Sequence, residues 1–283
     1  MEKTQKIALI AIFGALHALL SFFPGVWRSL MVLILPLEGI ILGPAMGFSS
    51  AFIGYVAGWS IRPRPEPFIF GVGEPIGALC AGLMARGKRG YSFFIYTLML
   101  GMFFLHPITP NLPLWTLWDI YIAYICIAFS ILFVKKHPFL YKAAMPVFFC
   151  LMTFILLLLE LLGYKLFESV VFTLLFAFSF VFLLWVFAIG KQEFVSYKVA
   201  YAAFIGVEAD VLTRIIILLL LYSPVGLYPI TSEEIQWLNT VFIEGAFLTP
   251  IEAVIAVAAS LLVGLPLLRI LKKNKIFAME NFG

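Results

Sequence analysis

The sequence predicts an all-α, polytopic integral membrane protein with about ten transmembrane helices and both termini in the cytoplasm. Three observations lead there. First, 63% of the 283 residues are hydrophobic and only 12% are charged, whereas a soluble domain carries about 25% charge. Second, the apolar residues gather in runs of about 15 to 25 residues without the two-residue alternation of a membrane barrel. Third, lysine and arginine fall almost entirely on one side of the resulting topology.

The apolar surface decides between soluble and membrane folds. No water-soluble domain of this length hides so much of it. In hydrocarbon the backbone must satisfy its own hydrogen bonds, which leaves helices for runs of this kind. The predicted spans cover residues 7–23, 30–43, 45–60, 68–85, 91–105, 115–134, 143–163, 167–190, 199–222 and 239–271. The second and third are short and meet at Gly43-Pro44, which predicts a tight hairpin or a broken pair. The last is too long for one simple span. Pro250 lacks a donor for the preceding turn, so Thr249-Pro250 predicts a kink or a new helix. The opening Met-Glu-Lys-Thr-Gln-Lys leads into an apolar run without a small-residue cleavage site, and it reads as the first span.

The cations test the count. With the N-terminus inside, fourteen of the nineteen Lys and Arg residues fall on the cytoplasmic side. They include Lys3, Lys6, Arg86, Lys88, Arg89 and the C-terminal cluster Arg269, Lys272, Lys273 and Lys275. Arg28, Arg62, Arg64 and Lys165 fall outside, and Arg214 lies within a span. This asymmetry is the one the positive-inside rule requires, so the net charge of +4 reflects topology. It predicts no nucleic-acid partner; the partner is the lipid bilayer of the cell membrane.

No loop exceeds about 20 residues, which leaves no room for an extramembrane catalytic domain. The chain carries no Walker A sequence, no H-E-x-x-H and no serine-triad pattern, so neither an enzyme nor a resident cofactor is expected. Cys80, Cys126 and Cys150 stand singly in apolar runs and read as inert thiols. His17, His106 and His137 lie on different elements, which argues against a histidine metal site. A weak internal similarity links Lys6–Gly14 to Lys198–Gly206 and Pro36-Leu-Glu38 to Pro250-Ile-Glu252. It is either a duplication or coincidence within a small apolar alphabet.

Small residues form stripes at helical spacing: Ala8, Ala11, Ala15 and Ala18; Gly47, Ala51, Gly54 and Gly58; Gly73, Gly77 and Ala81. Such stripes let helix backbones approach closely. They serve packing within the chain or, most plausibly for the first helix, docking of a partner membrane subunit. Carboxylates in the apolar runs face a cavity, water or a partner charge. Glu38, Glu74, Glu160, Glu208, Asp210 and Glu252 are of this kind, and Asp119 lies near an outer end. Asp210 and Arg214 are four apart on one helix face and predict an intramembrane ion pair, either internal and structural or lining a cavity where it reads a charged substrate. Glu38 and Glu74 adjoin Pro36 and Pro75, where a helix start or a substrate contact accounts for them equally well. The rigid outer loop from His106 through Asn111 to Trp115 either closes over an outward-facing pocket with Asp119 or forms an interfacial belt. Glu38, Glu74, His106, Asn111, Trp115 and Asp119 are the candidate substrate-binding residues.

The alanine-striped first helix, Pro36-Leu-Glu-Gly-Ile-Ile-Leu-Gly-Pro-Ala-Met-Gly47, the third helix ending at Gly58, and Phe70-Gly-Val-Gly-Glu-Pro-Ile-Gly-Ala-Leu-Cys-Ala-Gly82 with its basic turn carry a resemblance. Together they resemble the substrate-binding S components of energy-coupling factor transporters. The resemblance implies S-component-like helices over residues 1–134, with further membrane helices over 135–283 packed on the same bundle. It also implies that Ala8, Ala11, Ala15 and Ala18 face a membrane coupling subunit, while separate cytoplasmic ATPases drive uptake of a micronutrient. Two other functions stay open on the residues alone: an autonomous proton- or cation-coupled transporter, and a structural subunit of a larger membrane complex.

Overall fold

Apolar sequence without period-two alternation forms helices joined by short turns among the described residues. The structure, a computed structural model, describes residues 3–63, 70–133, 147, 150, 154, 194–222 and 231–273. Among the described residues there are nine α-helices and no strand. They are α1 (Lys3–Leu20), α2 (Leu35–Leu42), α3 (Pro44–Ile61), α4 (Gly73–Ala85), α5 (Arg89–Leu105), α6 (Trp118–Phe133), α7 (Phe194–Leu221), α8 (Ser232–Ala259) and α9 (Leu265–Lys273). Two helical stretches, Leu114–Phe133 and Ser232–Leu271, are long and apolar enough to cross a membrane. Of the predicted span at 143–163 only residues 147, 150 and 154 are described; the span at 167–190 lies outside the described residues, as do Glu160 and both ends of the chain.

The centre of the bundle is α2. All eight of its residues are buried, Glu38 included. At 1.5 Å per residue it is about 12 Å long, too short to cross a membrane. The run at 30–43 is therefore a one-turn 3-10 helix (Leu30–Leu33) followed by a short helix, and neighbouring helices enclose its ends. Gly43 makes the turn into α3 with φ +88°, a conformation open to glycine. Arg86, after α4, closes the same corner by donating from Nη2 to the Ile41 carbonyl at 3.4 Å.

Glycine sets how closely the helices approach. A Cβ on Gly47 would meet Gly39 Cα at 2.7 Å, and one on Gly82 would meet Pro44 Cα at 2.6 Å. The small residues of α3 and α4 thus form internal contacts. Helix α7 packs most closely on α4, with Gly77 against the Gly206 carbonyl and Gly73 against Asp210. Helix α1 lies on α3, where Gly54 meets His17 and the Gly14 carbonyl. The opposite face of α1 is open: Ala8, Ala11 and Ala15 are exposed together with Ile7, Ile12 and Leu19. Ala18 is not on that face. It is buried, one helical turn from Gly14, and packs toward Gly58.

Helix α8 continues through Pro250, so no new helix starts at Thr249-Pro250. The missing N–H of Pro250 leaves the Ala246 carbonyl without its helical donor. Trp118 Nε1 supplies one at 2.9 Å, and Thr249 Oγ1 contacts the Gly245 carbonyl at 2.9 Å. The irregularity falls ten residues later, as a π turn over Ser260–Gly264 before α9. At its other end α8 starts on a capping box. Thr231 Oγ1 accepts from Glu234 N, and Thr231 N donates to Glu234 Oε2.

Candidate binding cavity

A cavity of about 840 Å³ opens at one end of the bundle. The C-terminal ends of α1, α3 and α7 reach it, as do the N-terminal ends of α4, α6 and α8. Chain direction therefore agrees for six helices, and the basic turn at 86–89 lies at the opposite end of α4. The wall is aromatic, with Trp27, Tyr55, Trp59, Phe70, Trp237 and Phe242. Charged groups on it are Arg28, Arg62, Glu74, Asp119 and Arg214. The Tyr222 and Trp237 rings, 5.6 Å apart, join the end of α7 to the start of α8 beside it.

Behind this wall a chain of acids and bases crosses the bundle. Ser50 Oγ lies 3.0 Å from Glu38 Oε1. Glu38 Oε2 lies 2.9 Å from His17 Nδ1, and His17 Nε2 lies 2.8 Å from Glu74 Oε2. Arg214 Nη2 donates to Glu74 Oε1 at 2.9 Å, and its Nε to Asp210 Oδ1 at 2.8 Å. Asp210 Oδ2 accepts in turn from Arg28 Nη1. Arg28 Nε donates to Glu252 Oε2 at 2.5 Å. Glu252 Oε1 receives the backbone N–H groups of Trp27 and Arg28 at 2.8 and 2.6 Å. In low dielectric an isolated charge is costly, and the alternation of carboxylate and base meets that cost link by link.

Local structure places each member. Arg28 sits on a tight loop after α1, closed by Gly25 N on the Arg28 carbonyl and Leu30 N on the Phe23 carbonyl. Glu252 holds this loop by three donors. Asp210 and Arg214 share one face of α7, as their four-residue spacing predicts, but they are not a closed pair. Asp210 also binds Arg28 and Arg214 also binds Glu74.

A second polar group adjoins the cavity. Asp119 Oδ2 accepts from Thr249 Oγ1 at 2.6 Å, and Oδ1 from Ile120 N at 2.8 Å. Glu208, fully buried on α7, lies against the Asp119 carboxyl, and no N–H or hydroxyl of the described residues donates to its oxygens.

Of the six candidate substrate-binding residues, the cavity collects Glu74 and Asp119. Glu38 is sealed inside the bundle behind His17. His106, Asn111 and Trp115 are not on the cavity wall. Their loop is anchored instead by Ile108, Thr109 and Leu112, which are buried, with Thr109 Oγ1 on the Phe103 carbonyl. Asn111 points to the exposed side. Partial burial holds the His106 pKa below its ordinary value. Comparison of the chain with protein-family models, curated proteins and solved structures finds no significant match. Among the described residues no group of three His, Cys, Asp or Glu side chains is arranged to hold a metal ion.

Ser50, His17 and Arg28 are the members that sequence reasoning did not pick out. Arg28 looks like an ordinary outer-loop cation. The signal for His17 was a lone imidazole on a helix otherwise built from Ala, Ile, Leu and Phe, in a chain rich in unpaired intramembrane carboxylates.

Proposed function

We propose that the chain is a multi-pass membrane protein of the cell membrane whose outer end binds a small molecule. In this reading it is the substrate-binding subunit of a micronutrient importer driven by separate ATPases. The observation that carries the reading is the cavity. An otherwise apolar helical bundle keeps an aromatic-walled space of about 840 Å³, within the range of small-molecule sites, and backs it with buried charges. The lysine and arginine asymmetry supports an outward orientation for that end. The resemblance to S components of energy-coupling factor transporters supports a coupled partner, and the open apolar face of α1 offers it a place to dock.

Mild-detergent purification followed by native mass spectrometry tests the binding role. A small molecule retained by the chain is expected; a preparation free of any ligand and indifferent to added solutes in a thermal melt would overturn it. The docking role is tested by paired substitutions. Ala11→Leu adds methylenes on an exposed face, so it should leave the melt within about 0.5 kcal/mol while abolishing uptake in cells. Ala18→Leu overpacks a buried contact and should cost about 1–3 kcal/mol. A destabilised Ala11→Leu would reject an open docking face.

A second reading, an autonomous proton- or cation-coupled transporter, is favoured by the acidic surplus at Glu208 and Asp119. Uptake by liposomes containing this chain alone separates it from the first.

A further inference from the structure

Asp210 holds two guanidinium groups side by side. Its Oδ1 takes Arg214 Nε and its Oδ2 takes Arg28 Nη1. Glu252 then orients Arg28 through Nε, and Glu74 orients Arg214 through Nη2. Two nitrogens are left over. Arg28 Nη2 is buried without a hydrogen-bond acceptor, on a side chain only 6% exposed. Arg214 Nη1 donates to no described residue. Both arginines line the cavity. A buried donor without a partner calls for an explanation, and a missing ligand acceptor is one.

The carboxylates at the cavity are in the opposite condition. Each oxygen of Glu74 already meets a donor, one from Arg214 and one from His17. Each oxygen of Asp119 does too, from Thr249 and Ile120. The donors with capacity to spare are therefore cationic. One remaining nitrogen from each of two neighbouring guanidinium groups suits the two oxygens of a carboxylate. The aromatic wall around them suits a flat apolar body.

We infer that the cavity takes a small organic carboxylate, its anionic group against Arg28 and Arg214 and its flat apolar body against Trp27, Tyr55, Trp59 and Phe242. This inference rests on the proposed binding role of the cavity and adds the charge and shape of the ligand. Asp210 is the positioning residue that keeps the two guanidinium groups together.

Three probes with one body and different charge test it: naphthoate, naphthylmethylammonium and naphthylmethanol. Each is titrated into the purified full-length chain in detergent and the Tm is followed. Naphthoate alone is expected to raise the Tm in a saturable way. Arg28→Lys keeps a cation for Asp210 and Glu252 but removes the fork, and it should weaken naphthoate binding by roughly tenfold. Where that variant does not fold, Arg214→Lys takes its place with the same expectation. A shift from the ammonium or the alcohol equal to that from naphthoate would overturn the anion inference and leave the binding role standing. So would naphthoate binding unchanged by either lysine variant. No shift from any of the three would overturn both.

Discussion

The two ends of the buried charge chain differ in completeness. At the α1–α2 end, His17 sits between Glu38 and Glu74 with both ring nitrogens engaged, and His17 and Glu38 are entirely shielded from solvent. At the Arg28–Arg214 end the same kinds of group border a cavity and keep unused donors. A closed polar cluster fixes how helices pack, because any displacement leaves a charge uncompensated. An open one has bonding capacity for something else. One continuous chain thus has a structural end and a receptive end, and the carboxylate of Glu74 belongs to both.

The largest effect is expected at the closed end. His17→Ala removes the base between two buried carboxylates and leaves them facing each other. The loss should be about 3–5 kcal/mol, read as a large drop in thermal stability in detergent. A loss under about 1 kcal/mol would mean that the closed end does not hold the helices, and the contrast between the two ends would fail.

The middle of the chain is next. Asp210→Ala and Arg214→Ala should each destabilise the protein, and the double change should cost less than their sum. The coupling should fall between about 0.5 and 3 kcal/mol, as for residues sharing one network. Because Asp210 also binds Arg28 and Arg214 also binds Glu74, the double variant should not return to wild-type stability. Additive losses in the melt cycle would show that the network is not continuous through α7.

Much of the helical class was legible because the backbone in an apolar run has few alternatives. The small-residue stripes of α3 and α4 were legible for a related reason: close backbone approach requires small side chains at fixed spacing, and Gly47, Gly54 and Gly77 meet other helices there. The ion pair of Asp210 and Arg214 followed from spacing within one helix. What did not follow was everything that joins distant segments. Arg28 meets Glu252 across 224 residues and His17 meets Glu74 across 57, and no local period encodes such meetings. The loop from His106 to Trp115, readable as a pocket cover or an interfacial belt, could not be decided from sequence for a converse reason. Its polar and aromatic residues suit a binding site, yet in the structure its apolar members turn inward and anchor it away from the cavity wall. The unbroken course of α8 through Pro250 was equally hidden, since it depends on a donor from Trp118 on another helix.

The smallest effect is expected at Glu208, and it bears on whether the open end includes the α6 side of the cavity. Glu208 lies on α7 only two residues before Asp210, but it takes no part in the alternation of acid and base. Its carboxyl is fully buried against that of Asp119, and no N–H or hydroxyl of the described residues donates to its oxygens. An ordinary member of the chain would lose stability when neutralised, because its base would be stranded. Glu208 has no such base to strand. Glu208→Gln keeps the shape, removes a carboxyl to which no base is bonded, and offers an amide donor toward Asp119. The change should therefore be neutral or stabilising, by up to about 1 kcal/mol, in a melt of the purified chain. Glu74→Gln, which deprives both His17 and Arg214 of an acceptor, should lose stability under the same conditions. If Glu208→Gln proved as damaging as Glu74→Gln, Glu208 would have a bonded partner, and the surplus of acid beside the cavity, with the coupled-transporter reading it favours, would lose its basis.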